Sequence, residues 1–552
     1  MNVKNGEIIL CKGIKLDKEY ENVLSYSESS MVSLCRNNKI ATANNYIINY
    51  SILDPTTNSI DVPIPYKDCI YANYIAFKNP QYGDKWFFAF VNHVKYIDNR
   101  CTTIEYKVDV FSTWFSRMNI GQAFIEREHV DDDTIGKHLV EEGLEIGDVV
   151  IHDKDVKLDK YTDYCIVIGI TSFPSVDGDT TPAIPNDRTY NGIYSGLAYI
   201  IPSSATDASK IIRFFEEDKY SEAIVEIFMY YKTIDIESAT EYTWTHGSLA
   251  GGTETAKLRF MPAMTESDEL FQIPGLIMPK DLDGYIPKNN KLFTSPYCYI
   301  NASNNAGIVQ QYKWELFHHN VDIYGDHYCS FNLISAICPG GSGKAMPMQD
   351  YGQYESDGLY DYNYMYSIPL AKLPACSWLS DTYTNWLTQN GIASTGLTES
   401  LMALGGGAVT GNWVTAGVGL IGIYQSLQEI QEKKNAPDLV KGNTNSGDIN
   451  FAYQYEGGFS LYNMTITATY AKRIDDFLSR FGYKINEVKT PNIYSREQFN
   501  FIKVGGSDEL VHGDIPASDL DEINKIFRKG VTIFHNYGTF GNYLQDNAIV
   551  TE

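Results

Sequence analysis

The chain has no paired-cysteine motif. Its nine cysteines (Cys11, Cys35, Cys69, Cys101, Cys165, Cys298, Cys329, Cys338 and Cys376) are scattered, odd in number and without a C-x-x-C pair. That excludes a cysteine zinc site and favours a reducing compartment over a secreted disulfide scaffold. None of the ten histidines forms a close His-x-His pair or an H-E-x-x-H motif, and His318, His319 and His327 are wrongly spaced. The ligand sets of zinc hydrolases are therefore incomplete. The run GGSGK ending at Lys344 lacks the G-x-x-x-x-G-K-[ST] frame, since Ala345 and Met346 follow it, so a phosphate loop is rejected. The opening residues MNVKNGEIILCKGIKLDKEY hold no apolar core, and no secretion signal is expected. Fibrous repeats are missing as well.

Positive charge is scarce. Against 69 Asp and Glu stand only 44 Lys and Arg, a formal net charge of −25. Such a chain repels phosphate, which disfavours sequence-specific DNA binding. It does not exclude DNA passing by, because an acidic wall would not grip it. Hydrophobic residues make up 43%, enough for sizeable cores, and Tyr is over-represented at 41 against 7 Trp and 25 Phe. Tyrosine suits strands and half-buried surfaces, where the ring packs and the hydroxyl stays wet.

The most telling absence is local. From Ser400 to Gln428 there is no charged side chain, and from Thr382 to Gln428 the only one is Glu399. In this stretch Leu401, Met402, Leu404, Val409, Trp413, Val414, Val418, Leu420, Ile421, Ile423 and Tyr424 are interleaved with Gly405, Gly406, Gly407, Gly411, Gly417, Gly419 and Gly422. Length and apolarity fit a membrane span. Glycines and the polar Thr410, Asn412 and Thr415 oppose both helicity and insertion. The branched aliphatics together supply only roughly −4 kcal/mol towards insertion. One copy is near indifference between water, protein and lipid. A buried core helix is disfavoured by the glycines, each costing about 1 kcal/mol against Ala, and a linker should be polar.

A second stretch, Ala123–Asp133 (AFIEREHVDDD), gathers Glu126, Glu128, Asp131, Asp132 and Asp133 around Arg127 and His129. It reads either as a metal or acid/base cluster or, more plainly, as a solvated acidic turn with an Arg–carboxylate bridge. His129 and Asp133 match only the H-x-x-x-D half of a zinc endopeptidase, so the plainer reading is preferred.

Coarse patterning indicates a β-rich α+β chain. Lys85–Ile97 and Thr102–Trp114 predict an antiparallel hairpin, with Ile104, Tyr106, Val108 and Val110 alternating against polar residues. Tyr161–Ile170 and Ile193–Ile201 predict strands. Ala208–Phe215 and Ser221–Tyr231 have helical spacing, and Thr240–Ala256 reads as a loop. Tyr297–Cys338 returns to alternating aromatics, Pro339–Tyr366 is flexible, and Phe451–Ala468 predicts a strand. Tyr424–Lys433, Thr469–Phe481 and Ser518–Arg528 predict helices, the last capped by Ser518 and ended by Gly530. The expected organisation is a β-rich lobe at 1–160, an α+β lobe at 161–290, and a β-rich lobe at 291–385 that continues at 455–552. Residues 386–454 form an inserted hydrophobic, Gly-rich loop.

Three places taken together resemble the distal tail tube (tail knob) proteins of small short-tailed phages of the phi29 type. They are the hairpin running into Phe124–Asp133, the uncharged insert, and the pattern FGYKI…KTPN…FN (Phe481–Asn500) followed by GDI…DLDEINKIFRKGVTIFHN (Gly513–Asn536). The resemblance implies a homohexameric tube of β-sandwich or barrel lobes at the distal end of the virion tail, assembled in the host cytoplasm. It implies contact with neighbouring tail proteins, the proximal tube or lower collar and the tail tip. It also implies DNA in transit, and loops that plug the lumen and then enter host cytoplasmic membrane lipid as a pore. No cofactor, catalytic residue or metal is implied. The alternatives are a tail-associated cell-wall hydrolase using carboxylates such as Glu126 or Asp133, and a receptor-binding tail protein.

Overall fold

A computed structural model describes residues 6–40, 47–48, 53–54, 58–78, 85–158, 164–190, 193–218, 220, 223–232, 234–247, 252–262, 271–317, 325–334, 343–347, 351–352, 366–373, 375–377, 443–445 and 458–550. All structural statements concern these residues. Contacts divide the chain into two compact units: Met1–Ile146 with Pro287–Leu292 and Ala468–Glu552, and Gly147–Ile286 with Phe293–Thr467. Of the lobe expected at 291–385 and 455–552, residues 293–385 and 455–467 lie in the second unit and 468–552 in the first. The cause is a sheet. Strand Ala123–Glu128 has Phe499–Val504 on one side and Tyr483–Lys489 on the other, so the tail completes what the first residues begin.

The first unit has a seven-stranded antiparallel sheet whose centre is Gly6–Cys11, Tyr74–Lys78, Trp86–Tyr96 and Thr102–Val108. The predicted hairpin is present, with Thr102, Ile104 and Tyr106 buried on one face. It stops sooner than alternation suggests. Asp109 accepts a hydrogen bond from Ser112 N at 3.1 Å and caps the helix Val110–Trp114, so Val110 is helical. Local capping wins over the period of two because a buried carboxylate needs those donors. The second sheet has five strands in the order Asn22–Leu24, Val531–Phe534, Phe499–Val504, Ala123–Glu128, Tyr483–Lys489. One core joins residues of both sheets, including Phe88, Phe111, Ile125, Phe499 and Ile533, with Met31 and Phe527 from the helices Glu28–Asn37 and Ala517–Lys529.

Both C-terminal helices predicted here exist. Ala468–Phe481 buries Ala471, Ile474, Asp475 and Leu478. Gly482 follows with φ +67, its N–H bonded to Leu478 O at 2.8 Å. A Cβ there would stand 2.0 Å from Glu128 O, so only glycine both turns the chain and lets the strand approach. Ala517–Lys529 ends at Gly530, with φ +92. Ser518 is not its cap: the helix begins after Pro516, and Ser518 lies in the first turn, bonded to Asp519. Proline at the entry presets the backbone and no side-chain cap forms.

The second unit carries two four-stranded sheets and a seven-stranded one, ordered Glu241–Gly247, Thr253–Phe260, Ala198–Pro202, Tyr164–Ile170, Ile224–Tyr231, Ala375–Ser377, Asn443–Asn445. Helix Ala205–Glu217 packs on it through Ala208, Ile211, Phe214 and Phe215. Two expectations are corrected. Residues 224–231 form a buried strand antiparallel to Tyr164–Ile170, not a second helix. A run apolar on both faces has no period, and its β-branched and aromatic residues decide for strand. Of the residues expected as a loop at 240–256, 241–247 and 253–256 lie in the antiparallel pair of strands Glu241–Gly247 and Thr253–Phe260. That pair ends the sheet and leaves one face wet, so its residues look polar. The alternating aromatics give Cys298–Ser303, Val309–Lys313 and Tyr328–Ile334, and Phe459–Ile466 is the strand expected after the insert. Lys344 opens the strand Lys344–Pro347, so no helix follows the GGSGK run as a phosphate loop requires. No described helix is long and apolar enough to cross a membrane.

Candidate functional site

The acid-rich stretch is not a solvated turn. Ala123–Glu128 is an inner strand of the five-stranded sheet, and its charges are absorbed one by one. Arg127 pairs with Glu142, whose side chain is fully buried, and donates to Gly482 O at 2.6 Å. Glu142 also receives Lys291 at 2.5 Å. The Arg–carboxylate bridge therefore exists, but with a residue outside the stretch. Glu128 pairs with Lys489 at 2.6 Å, and burial pushes its carboxyl upward in spite of that lysine. Glu126 pairs with Lys503 at 2.7 Å near the surface, and Asp132 pairs with Lys137.

His129 is committed to the backbone. Its Nδ1 accepts from Phe501 N at 2.8 Å, which leaves Nε2–H to donate to Ser479 O at 3.1 Å. Burial, with Arg496 beside it, pushes its pKa down to about 3. A neutral imidazole with both nitrogens occupied is no metal ligand. Asp133 accepts from Asn290 N at 2.9 Å and from the Tyr483 hydroxyl, and burial raises its pKa. A cleft of about 330 Å³ lies beside His129, lined also by Lys288, Arg480, Arg496 and residues 543–548. Glu126, Glu128, Asp131, Asp132 and Asp133 are not among its lining residues.

The expected membrane-active residues, Leu401 to Tyr424, lie outside the described residues, as does the helix expected at 424–433. What is described is where the chain departs and returns. Ala375–Ser377 adds to the seven-stranded sheet beside Ile224–Tyr231. Asn443–Asn445 then pairs antiparallel with it, Ser377 opposite Asn443 and Ala375 opposite Asn445. Residues 378–442 thus start and finish at adjacent positions on one sheet. The return at Asn443 falls within the 386–454 span expected for the insert.

One His–carboxylate group among the described residues was missed by motif reading: Asp179, Asp218 and His246, in the second unit. They share no fixed sequence spacing, and folding alone brings them together.

Residues 4–119 match the caudoviral major tail protein N-terminus, and residues 276–548 match the C-terminal domain of Bacillus phage phi29 tail knob protein gp9. The chain is similar to tail knob protein gp9 of Bacillus phage phi29, at 24% identity over 552 residues covering 89% of this chain and 90% of that protein. It is similar to tail knob protein gp9 of Bacillus phage PZA at 26% identity over 545 residues, covering 87% and 88%. Its fold resembles the bacteriophage C1 tail knob protein gp12, with a TM-score of 0.64 at 12% identity over 99% of this chain and 100% of that one. Fold and relatives together define a structural protein of the phage tail. Within that class, the chain is similar along most of its length to the phi29-type tail knob proteins.

Proposed function

We propose that six copies of this chain close into the distal tail tube through which genomic DNA is ejected. The insert of each copy plugs the lumen and, on infection, enters the host cytoplasmic membrane as part of a pore. The observation that carries this reading is the uncharged Ser400–Gln428 stretch on an excursion whose two ends pair as adjacent strands. An excursion with its ends together can move without unmaking its host sheet, and changing its length costs little closure entropy. An insert marginal in one copy becomes decisive when six are tethered at one ring, because tethering raises effective concentration without new contacts. Its glycines suit close approach between segments in lipid. The net charge of −25 suits a conduit that must not hold DNA.

A closed ring would also remove exposed strand edges of the β-rich lobes. A cell-wall hydrolase is less supported, since Glu126, Glu128 and Asp133 are each tied to a lysine, a backbone amide or a tyrosine hydroxyl. The test is deletion of Asn390–Gly442 with a short polar join. The shortened protein should keep the native mass of a hexamer and lose leakage of dye-loaded liposomes. Leakage equal to wild type would reduce the insert to a plug or linker. A monomer at micromolar concentration would refute the tube.

A further inference from the structure

Within the second unit, three chain segments bring ligand-type atoms together, with His246 buried. Strand Glu241–Gly247, at one end of its sheet, turns Trp244 and His246 inward. Phe214, from helix Ala205–Glu217, stacks on the His246 ring with centroids 4.4 Å apart and planes at 9°. Asp218, the residue after that helix, sets Oδ1 3.1 Å from His246 Nε2. The third segment arrives through Thr180, which exchanges both backbone hydrogen bonds with Thr245, at 2.8 and 3.0 Å. That bridge fixes Asp179, whose Oδ1 accepts from Gly247 N at 2.9 Å and whose Oδ2 accepts from Trp244 Nε1 at 3.3 Å. One ligand atom from each of Asp179, Asp218 and His246 lies within 4.8 Å of the others.

The group is short of positive charge. Asp218 sits at a helix C-terminus, where the dipole opposes an anion, and the last turn has no basic residue. Its side chain is 7% exposed and its Oδ2 has no hydrogen-bond partner. The His246 side chain is 2% exposed and its Nδ1 has no hydrogen-bond partner either. Leaving such atoms buried and unpaired is unfavourable. On the far side of the ring, Glu217 Oε2 is 3.7 Å from Nδ1. A metal-bound imidazole commonly has a carboxylate beyond its other nitrogen; Glu217, itself paired with Arg213, stands there without a hydrogen bond to the ring. With the hydrogen on Nδ1, the Nε2 lone pair would face the Asp218 carboxylate, an arrangement that a bound cation would relieve.

We propose that Asp179, Asp218 and His246 bind a divalent transition-metal ion, which clamps the loop around Asp179 to the helix end and the sheet edge. Imidazole with carboxylates suits zinc or manganese better than magnesium or calcium. A set of three protein ligands leaves room for water on the metal. This site is independent of the insert and of the proposed pore.

The test uses the full chain, stripped with EDTA, dialysed, and titrated with Zn²⁺ by calorimetry and thermal melting. Wild type should bind one equivalent per chain tightly and melt higher with zinc. Asp218→Asn and Asp179→Asn should each weaken that binding by about tenfold or more. Zinc-edge absorption should show nitrogen and oxygen neighbours and no sulfur. Equal zinc affinity in wild type and both variants, sulfur in the first shell, or an unchanged melt would overturn the proposal. The last of these would make His246 and Asp218 a plain proton-sharing pair. If circular dichroism shows Asp218→Asn misfolded, Asp179→Asn, altered in a loop, decides alone.

Discussion

Two stretches stand out in the sequence, and they lead to opposite conclusions. Ala123–Asp133 is dense with chemistry-bearing residues, yet Arg127, Glu128, His129 and Asp133 are taken up by partners that hold the first unit together. Ser400–Gln428 has no charged residue at all, yet it rides on the excursion that leaves and rejoins one sheet at adjacent strands. Reactive residue types indicate function only where the fold leaves them unpaired. A composition that serves neither a packed core nor a solvated loop is the stronger pointer.

That contrast can be broken at the acid-rich strand. Gly482→Ala should have the largest effect on stability there, at least about 3 kcal/mol, because a left-handed residue gains a Cβ that overlaps Glu128 O. Denaturant melts of the full chain would read it. A variant as stable as wild type would mean that helix and strand do not meet as described.

The next effect is acid-dependent. His129 is neutral when folded, its pKa pushed down to about 3 against an ordinary 6.5. The unfolded chain takes up a proton that the folded one refuses, so stability is lost as pH falls from 6.5 towards 3. Between pH 7 and pH 5 this group alone accounts for about 2 kcal/mol. His129→Gln should be less stable at pH 7 but should lose less on acidification. An unchanged acid slope would show His129 to be less buried than described. The smallest effect belongs to Glu126→Gln. Its partner Lys503 is about a third exposed, so the loss should be below about 0.5 kcal/mol. A loss of several kcal/mol would place Glu126 among the buried partners.

Legibility followed periodicity. The helices Ala468–Phe481 and Ala517–Lys529 and the hairpin Trp86–Tyr96/Thr102–Val108 each bury one face, so their sequences carry a period. The strand Ile224–Tyr231 is buried on both faces and carries none. Glu241–Gly247 was hidden by its wet positions, and Asp109 looked like a strand residue because its capping role depends on the turn after it. His129 and His246 are both buried, and nothing in their local sequence tells them apart. Only the partners differ: backbone groups for His129, carboxylates for His246.

The most direct measurement is dye leakage from liposomes with charge placed in the insert. Val418→Asp with Ile421→Lys adds about 2.5–3.5 kcal/mol per charge at a membrane centre, enough to cancel the roughly −4 kcal/mol available per copy. Glu399→Gln, at the margin, should leak like wild type. The account predicts assembled protein with leakage abolished in the doubly charged variant. Undiminished leakage from that variant would contradict it.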